Sequence, residues 1–408
     1  MSSVHYSQQG RPLWLETAAI ALLLTATLKI MANATISPAL PGLQASFPET
    51  PQAASLTRFL VAAPSLSVVL IAPLAGIFVD RFGRSSLLMA GVALFALSGA
   101  AGAFLPGLSS ILASRLALGV AVALIMTAQS ALVGDLFEGP RRNAFMGLQT
   151  AAINFSGFVY IALAGWLAGL SPRLPFLIYA LALLLLPLLL PVLRQEQRRG
   201  RPSVRDRPQG AIGRRNDWLG PALSIGLLGT ATVAIFFLMP SQLPFYLDGN
   251  GLDGAAGTAF GLGALTLTGG CIAMMFRRIS TFLGLAATFL LGFTVMGAGF
   301  ATLAMNAAWS FILAGAALVG AGYALVQPAL LLLALEKAPA DRRGSVLGIV
   351  TTAIFLGQVV SPLALTPLIR SAGYDTVFLG AACVLLVMGV SVAGLLKFRG
   401  TRPLRSEP

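Results

Sequence analysis

The sequence predicts an all-α integral membrane protein of twelve transmembrane helices, built as two tandem six-helix bundles. Three observations lead there. Hydrophobic residues make up 57% of the 408-residue chain and charged residues only 10%, against about 25% charged in ordinary soluble domains. A soluble fold of this length has too many positions facing water to hide so much apolar surface. The apolar residues are gathered into stretches long enough to cross a bilayer, and the stretches of the second half echo those of the first.

A spanning helix needs about 20 mostly apolar residues. Such stretches run over 12–36, 54–79, 86–105, 108–134, 144–168 and 173–193, then resume over 218–246, 256–276, 281–303, 308–335, 345–369 and 375–397. The first exceeds the roughly 7–15 apolar residues of a signal peptide and is read as a span. Period-two alternation is absent, which argues against a β-barrel. Membrane helices tolerate the scattered proline and glycine.

Charge orients the spans. With the N-terminus in the cytoplasm, that side carries Arg81, Arg84, Arg141, Arg142, the basic segment 194–215, Arg277, Arg278, Lys337, Arg342, Arg343 and the basic tail. The other side has only Arg58, Arg173 and Arg370. This is the positive-inside pattern, and it predicts both termini in the cytoplasm. The polar stretch 194–217 reads as a basic cytoplasmic linker between a first bundle, 1–193, and a second, 218–408.

The echo between halves is specific. RRNAFMGLQTAAI at 141–153 aligns with RRGSVLGIVTTAI at 342–354, an offset of 201 that also pairs Asp135 with Glu336. A looser echo sets SPALP at 37–41 against MPSQLP at 239–244. Two six-span repeats of like orientation are a transporter plan, with the site near mid-membrane between them.

Several classes fall away. The formal net charge of +13 is spread at intervals between spans, so nucleic acid is not an expected partner. The one histidine, His5, lies in the N-terminal tail, and Cys271 and Cys383 sit far apart in apolar stretches. No metal site, disulfide or cofactor is expected. No phosphate-binding Gly-x-x-x-x-Gly-Lys loop occurs, and no catalytic constellation is visible, so an enzyme or ATP-driven pump is not expected.

Between spans two and three the chain reads GIFVDRFGR, residues 76–84. Gly76, Asp80, Arg81, Gly83 and Arg84 resemble the loop motif of the major facilitator superfamily. Ser37, Pro38, Leu40 and Pro41 resemble its twelve-span drug:proton antiporter branch, as do Arg115 and Gly119 in span four and GDLF at 134–137. Two positions depart: Ser85 and Ser86 follow Arg84 where the family usually has a further basic residue, and SGFV at 156–159 lacks the proline usual in the antiporters' fifth span. The resemblance implies a transporter that rocks two bundles about a central site, exporting small organic molecules against proton entry. It implies that Asp80, Arg84 and Asp135 latch the cytoplasmic gate, with Glu336 a degenerate copy of Asp135. A monomer in a bacterial inner membrane is expected.

Lys29 lies deep in span one, with Thr25 and Asn33 on the same helix face. A charge at that depth costs roughly 2.5–3.5 kcal/mol and normally faces the bundle interior; the alternative is snorkelling to the outer headgroups. Arg115 is either a cavity residue or a structural arginine bonded to backbone carbonyls. Gln129, Asn154, Gln242, Tyr246, Tyr323, Gln327 and Gln358 are further polar residues within spans. Each alone suits an interhelical hydrogen bond; together they are candidates for a polar cavity wall. The cavity set is thus Thr25, Lys29, Asn33, Arg115 and these seven. No carboxylate sits deep in a span. If Lys29 and Arg115 both face the cavity, an anionic or zwitterionic substrate is expected to compensate them. Two alternatives stand beside an exporter: an importer of an anionic nutrient, and a non-transporting lipid-handling or sensor protein.

Overall fold

The computed structural model describes residues 16–50, 52–137, 139–199, 218–305, 307–339 and 342–400. The first half contains α1 (Thr17–Ala34), the short α2 (Leu40–Ala45), α3 (Ala53–Phe82), α4 (Arg84–Ala101), α5 (Leu108–Leu136), α6 (Gly139–Leu170), a 3-10 stretch (Leu174–Leu184) and α7 (Leu185–Arg199). The second contains α8 (Leu219–Phe236), α9 (Leu238–Gly249), α10 (Gly254–Met305), α11 (Trp309–Lys337), α12 (Arg343–Ala372) and α13 (Tyr374–Gly400). At 52 residues α10 is about twice the length of one crossing, and it turns at Gly284, where φ is 76°. It therefore supplies spans eight and nine, and the described helices make twelve crossings.

The 201-residue echo extends to the geometry. The starts of α3 and α10, and both ends of α5 and α11, recur at that offset. Gly83, φ 91°, which ends α3, recurs as Gly284. A left-handed backbone there lets the chain reverse between spans without a Cβ penalty.

Proline punctuates the spans by leaving the carbonyl four residues earlier without its N–H. α1 ends at Ala34, four before Pro38, and span seven breaks into α8 and α9 after Phe236, four before Pro240. Span six was expected as one helix over 173–193. It is a 3-10 helix to Leu184 and an α-helix from Leu185, the change falling where Pro187 cannot bond the Leu183 carbonyl. α7 runs to Arg199, past the expected boundary at 193, because a helix need not stop where the bilayer does. Most of the expected linker, 200–217, lies outside the described residues.

Each half has its own apolar core, one around Phe95, Phe145 and Tyr179, the other around Phe289, Phe293 and Phe300. A third, smaller cluster joins Leu40, Leu43 and Phe176 of the first half to Phe237 and Phe245 of the second. It lies on the face with few basic residues, so the halves are packed together there.

Candidate translocation site

Lys29 stands on α1 one turn before Asn33. With Thr25, Gln129, Gln149 and Met126 it lines a cavity of about 100 Å³ in the first half. Its ammonium lies 5.7 Å from the ring centroid of Phe355 on α12, and it has no ion pair or hydrogen bond among the described residues. Thr25 is tied back to the Ala21 carbonyl at 2.6 Å, and Gln129 donates to the Leu22 carbonyl at 2.7 Å. Thr25 and Gln129 are thus satisfied by backbone carbonyls, while the Lys29 amine has no polar partner among the described residues.

One turn beyond Lys29, toward the charge-poor face, the halves touch through polar groups. Asn33 donates to Gln358 Oε1 at 3.0 Å, and Ser65 donates to the same oxygen. Farther out, Gln242 donates to Thr366 at 2.8 Å and accepts from Arg58 Nε at 3.1 Å. Arg370 donates to Ser55 at 3.0 Å. These bonds, bar the one within the second half between Gln242 and Thr366, cross between halves. The Lys29 cavity lies on the basic side of this closure.

Arg115 does not face the cavity, and this corrects the expectation. It is fully buried, its Nε donates to the Leu60 carbonyl at 3.3 Å, and its Nη2 donates to the Ala32 carbonyl. Its guanidinium lies 5.0 Å from the Tyr179 ring centroid. Pro64 explains the site: lacking an N–H, it orphans the Leu60 carbonyl, and Arg115 supplies the missing donor. Arg115→Leu is accordingly expected to cost about 1–3 kcal/mol for the stranded Leu60 carbonyl alone, read as a lower melting temperature in detergent. Pro64→Ala in that background restores an N–H to that carbonyl and should recover part of the loss; no recovery would contradict this role.

Other expected wall residues do not line the Lys29 cavity. Tyr246, 3% exposed, donates to the Leu303 carbonyl at 3.0 Å and ties α9 to α10. Gln242 and Gln358 belong to the closure, since both are buried against cross-half partners. Asn154 bonds its own helix at Thr150 and packs on Gly270. Tyr323 stacks on Phe236 with centroids 3.8 Å apart, one turn from half-buried Gln327. Of the residues not singled out from sequence, Ser65, Thr366 and Phe355 are of types too common in spans to stand out, whereas Gln149, near the start of the expected span 144–168, carried the same signal as the other span glutamines. Arg58 carried a signal: it is one of the few basic residues on the face that membrane topology keeps poor in them.

On the basic side, Arg84 pairs with Asp135, and Arg141 with Glu16 at 2.5 Å. Arg81 is exposed over Phe82, and Gly76 has open space beside it. The side chain of Asp80 lies outside the described residues.

The sequence profile of the Major Facilitator Superfamily matches residues 22–281 and 267–408. The chain belongs to this superfamily. It is a multi-pass membrane protein of that fold. Among curated relatives, Multidrug resistance protein 2 of Bacillus subtilis (strain 168) is 35% identical over 122 residues, 30% of each chain. An uncharacterized MFS-type transporter, YceJ, of the same organism is 24% identical over 381 residues, 90% of this chain and 93% of that one. Quinolone resistance protein NorA of Staphylococcus aureus is 30% identical over 118 residues, 29% of this chain and 30% of that one. Thus this chain matches less than a third of the length of the two resistance proteins. In fold, it matches a D-xylose-proton symporter with a TM-score of 0.76 at 18% identity, covering 92% of this chain and 96% of that one.

Proposed function

We propose that this superfamily member exports small organic molecules from the bacterial cytoplasm by alternating access, in exchange for protons. The observation that carries the reading is the Lys29 cavity, placed between a closed charge-poor face and the basic side. With the basic loops in the cytoplasm, this is the state that loads an exporter from within. The resemblance to multidrug resistance proteins supports the direction. Lys29 is the group offered for coupling, since an amine exchanges protons at accessible pH while an arginine does not. Its uncompensated charge also suits an acidic or zwitterionic solute, and equally an importer of an anionic nutrient. Accumulation separates the two by sign. In a strain stripped of other exporters, overexpression lowers the cell content of an exported compound and raises that of an imported one. No change for any compound across a broad panel would remove both readings.

The Arg84–Asp135 pair is exposed enough that its contribution to stability is about 1 kcal/mol or less, so its role is to set the end of α4 against α5. Asp135→Asn is expected to cut efflux severalfold at near-normal expression and melting temperature. Full efflux in that variant would reduce the pair to interfacial charge.

A further inference from the structure

The gate on the charge-poor face holds a charge that lacks a counter-charge. Arg58, on the second turn of α3, is half-buried between the two halves. Its guanidinium stacks 3.9 Å from the ring centroid of Phe245 on α9. Nε donates to Gln242 Oε1 at 3.1 Å, and Nη1 donates to the Ala54 carbonyl at 2.7 Å and to Gln44 Oε1 at 3.4 Å. No carboxylate pairs with it among the described residues, and Glu49, Asp248, Asp253 and Asp375 of that face are exposed. A guanidinium remains charged at every ordinary pH. Across the halves it is held by the Gln242 amide oxygen, the Phe245 ring and the Tyr374 hydroxyl, none of which carries a negative charge. The bond to Gln242 is charge-assisted from the donor side only, whereas a carboxylate brings the opposite charge as well and can accept two parallel N–H bonds from the guanidinium. A carboxylate delivered to Arg58 therefore competes successfully for the donors that now hold Gln242.

We propose that Arg58 is a second anion-binding station, and that a carboxylate-bearing solute opens the outer gate by taking Arg58 from Gln242. The proposal rests on the transport reading above and names its substrate class. Lys29 is one turn from Asn33, about 6 Å, and Ser65 is seven residues from Arg58, about 10 Å, at 1.5 Å per residue. Asn33 and Ser65 meet at the same Gln358 oxygen. The two cations thus stand roughly 16 Å apart along the path, one on each side of that pinch. A small anion binds Lys29 first, passes the pinch, and is received by Arg58 as the gate parts. A lipophilic cation gains nothing at either station.

The test uses the full-length protein in detergent at constant ionic strength. The probes are acids and their uncharged amides: benzoate against benzamide, hexanoate against hexanamide. Thermal protection by the acids is expected at concentrations at least tenfold below the amides. Arg58→Gln should lower that preference severalfold, leaving the share that Lys29 supplies, and Arg58→Lys should restore part of the loss. Opening is read from spin labels at positions 49 and 375, with Cys271 and Cys383 replaced by serine. Benzoate lengthens the label distance in the parent and leaves it unchanged in Arg58→Gln. Equal protection by acids and amides, an unchanged preference in Arg58→Gln, or a label distance indifferent to benzoate overturns the proposal. Efflux of neutral or cationic compounds alongside such a result would leave the exporter standing without the anion station. A protein that moves no solute would remove both.

Discussion

Gly119→Ala is expected to cut the yield of folded protein severalfold and to lower its melting temperature by about 1–4 °C, the shift that a loss of about 1–3 kcal/mol gives in a chain of 408 residues. α5 crosses α3 at Gly119 so closely that a Cβ there would overlap the carbonyl oxygen of Pro64. The obstacle is backbone, so no rotamer change relieves it, and overpacking of this kind costs about 1–3 kcal/mol or more. The crossing also sets Arg115, one turn earlier on α5, against the carbonyl that Pro64 leaves open, so separating the helices strands that group as well. Gly320 stands in the same relation to the Leu265 carbonyl, 201 residues on, and Gly320→Ala should behave alike. Gly147→Ala is the control, because nothing lies within 4 Å of its added methyl; it should stay within about 0.5 kcal/mol of the parent. If the two alanine variants at the crossings melt like Gly147→Ala, the close approach is not what holds each half together.

Lys29→Ala should reduce transport at least tenfold while leaving the protein as stable as the parent, or more so. The two halves of this expectation share one cause. An ammonium within a span, with no ion pair among the described residues, opposes folding, so its removal relieves a cost. The same amine is the cavity's one uncompensated charge, so its removal takes away the group proposed to bind an anion and exchange a proton. Lys29→Arg separates these roles: it keeps the charge, holds anion protection near the parent level, and loses the dependence of flux on a proton gradient. A Lys29→Ala protein that transports normally, or one that merely unfolds, would place the lysine among structural or snorkelling residues.

Much of the architecture was legible because lipid imposes a length on each apolar stretch and topology imposes a sign on each loop. Span eight shows the limit. Its apolar window closes at 276, yet the helix continues through Arg277 and Arg278 to the turn at Gly284, since helical hydrogen bonding persists beyond the bilayer. The candidate site was legible only in part. Lys29 stood out because a charge in a span is costly wherever it points. Arg115 stood out for the same reason, but its direction depends on a carbonyl freed by Pro64 on another helix. Spans that are apolar all round carry no polar face to orient a residue in advance. The closure was harder still. Arg58 and Gln242 are 184 residues apart, and although each stands out in its own stretch, neither stretch names the other; their pairing arises only when two halves meet.

The most direct test of export by proton exchange is flux in liposomes containing only this protein, using a compound that the efflux screen identifies. The liposomes are loaded so that the solute is equal on both sides, and a pH gradient is imposed. The account predicts net solute movement toward the acidic compartment, opposite to the protons, accelerated by the gradient and abolished in Lys29→Arg. Movement in the same direction as the protons, or a rate indifferent to the gradient, would contradict it.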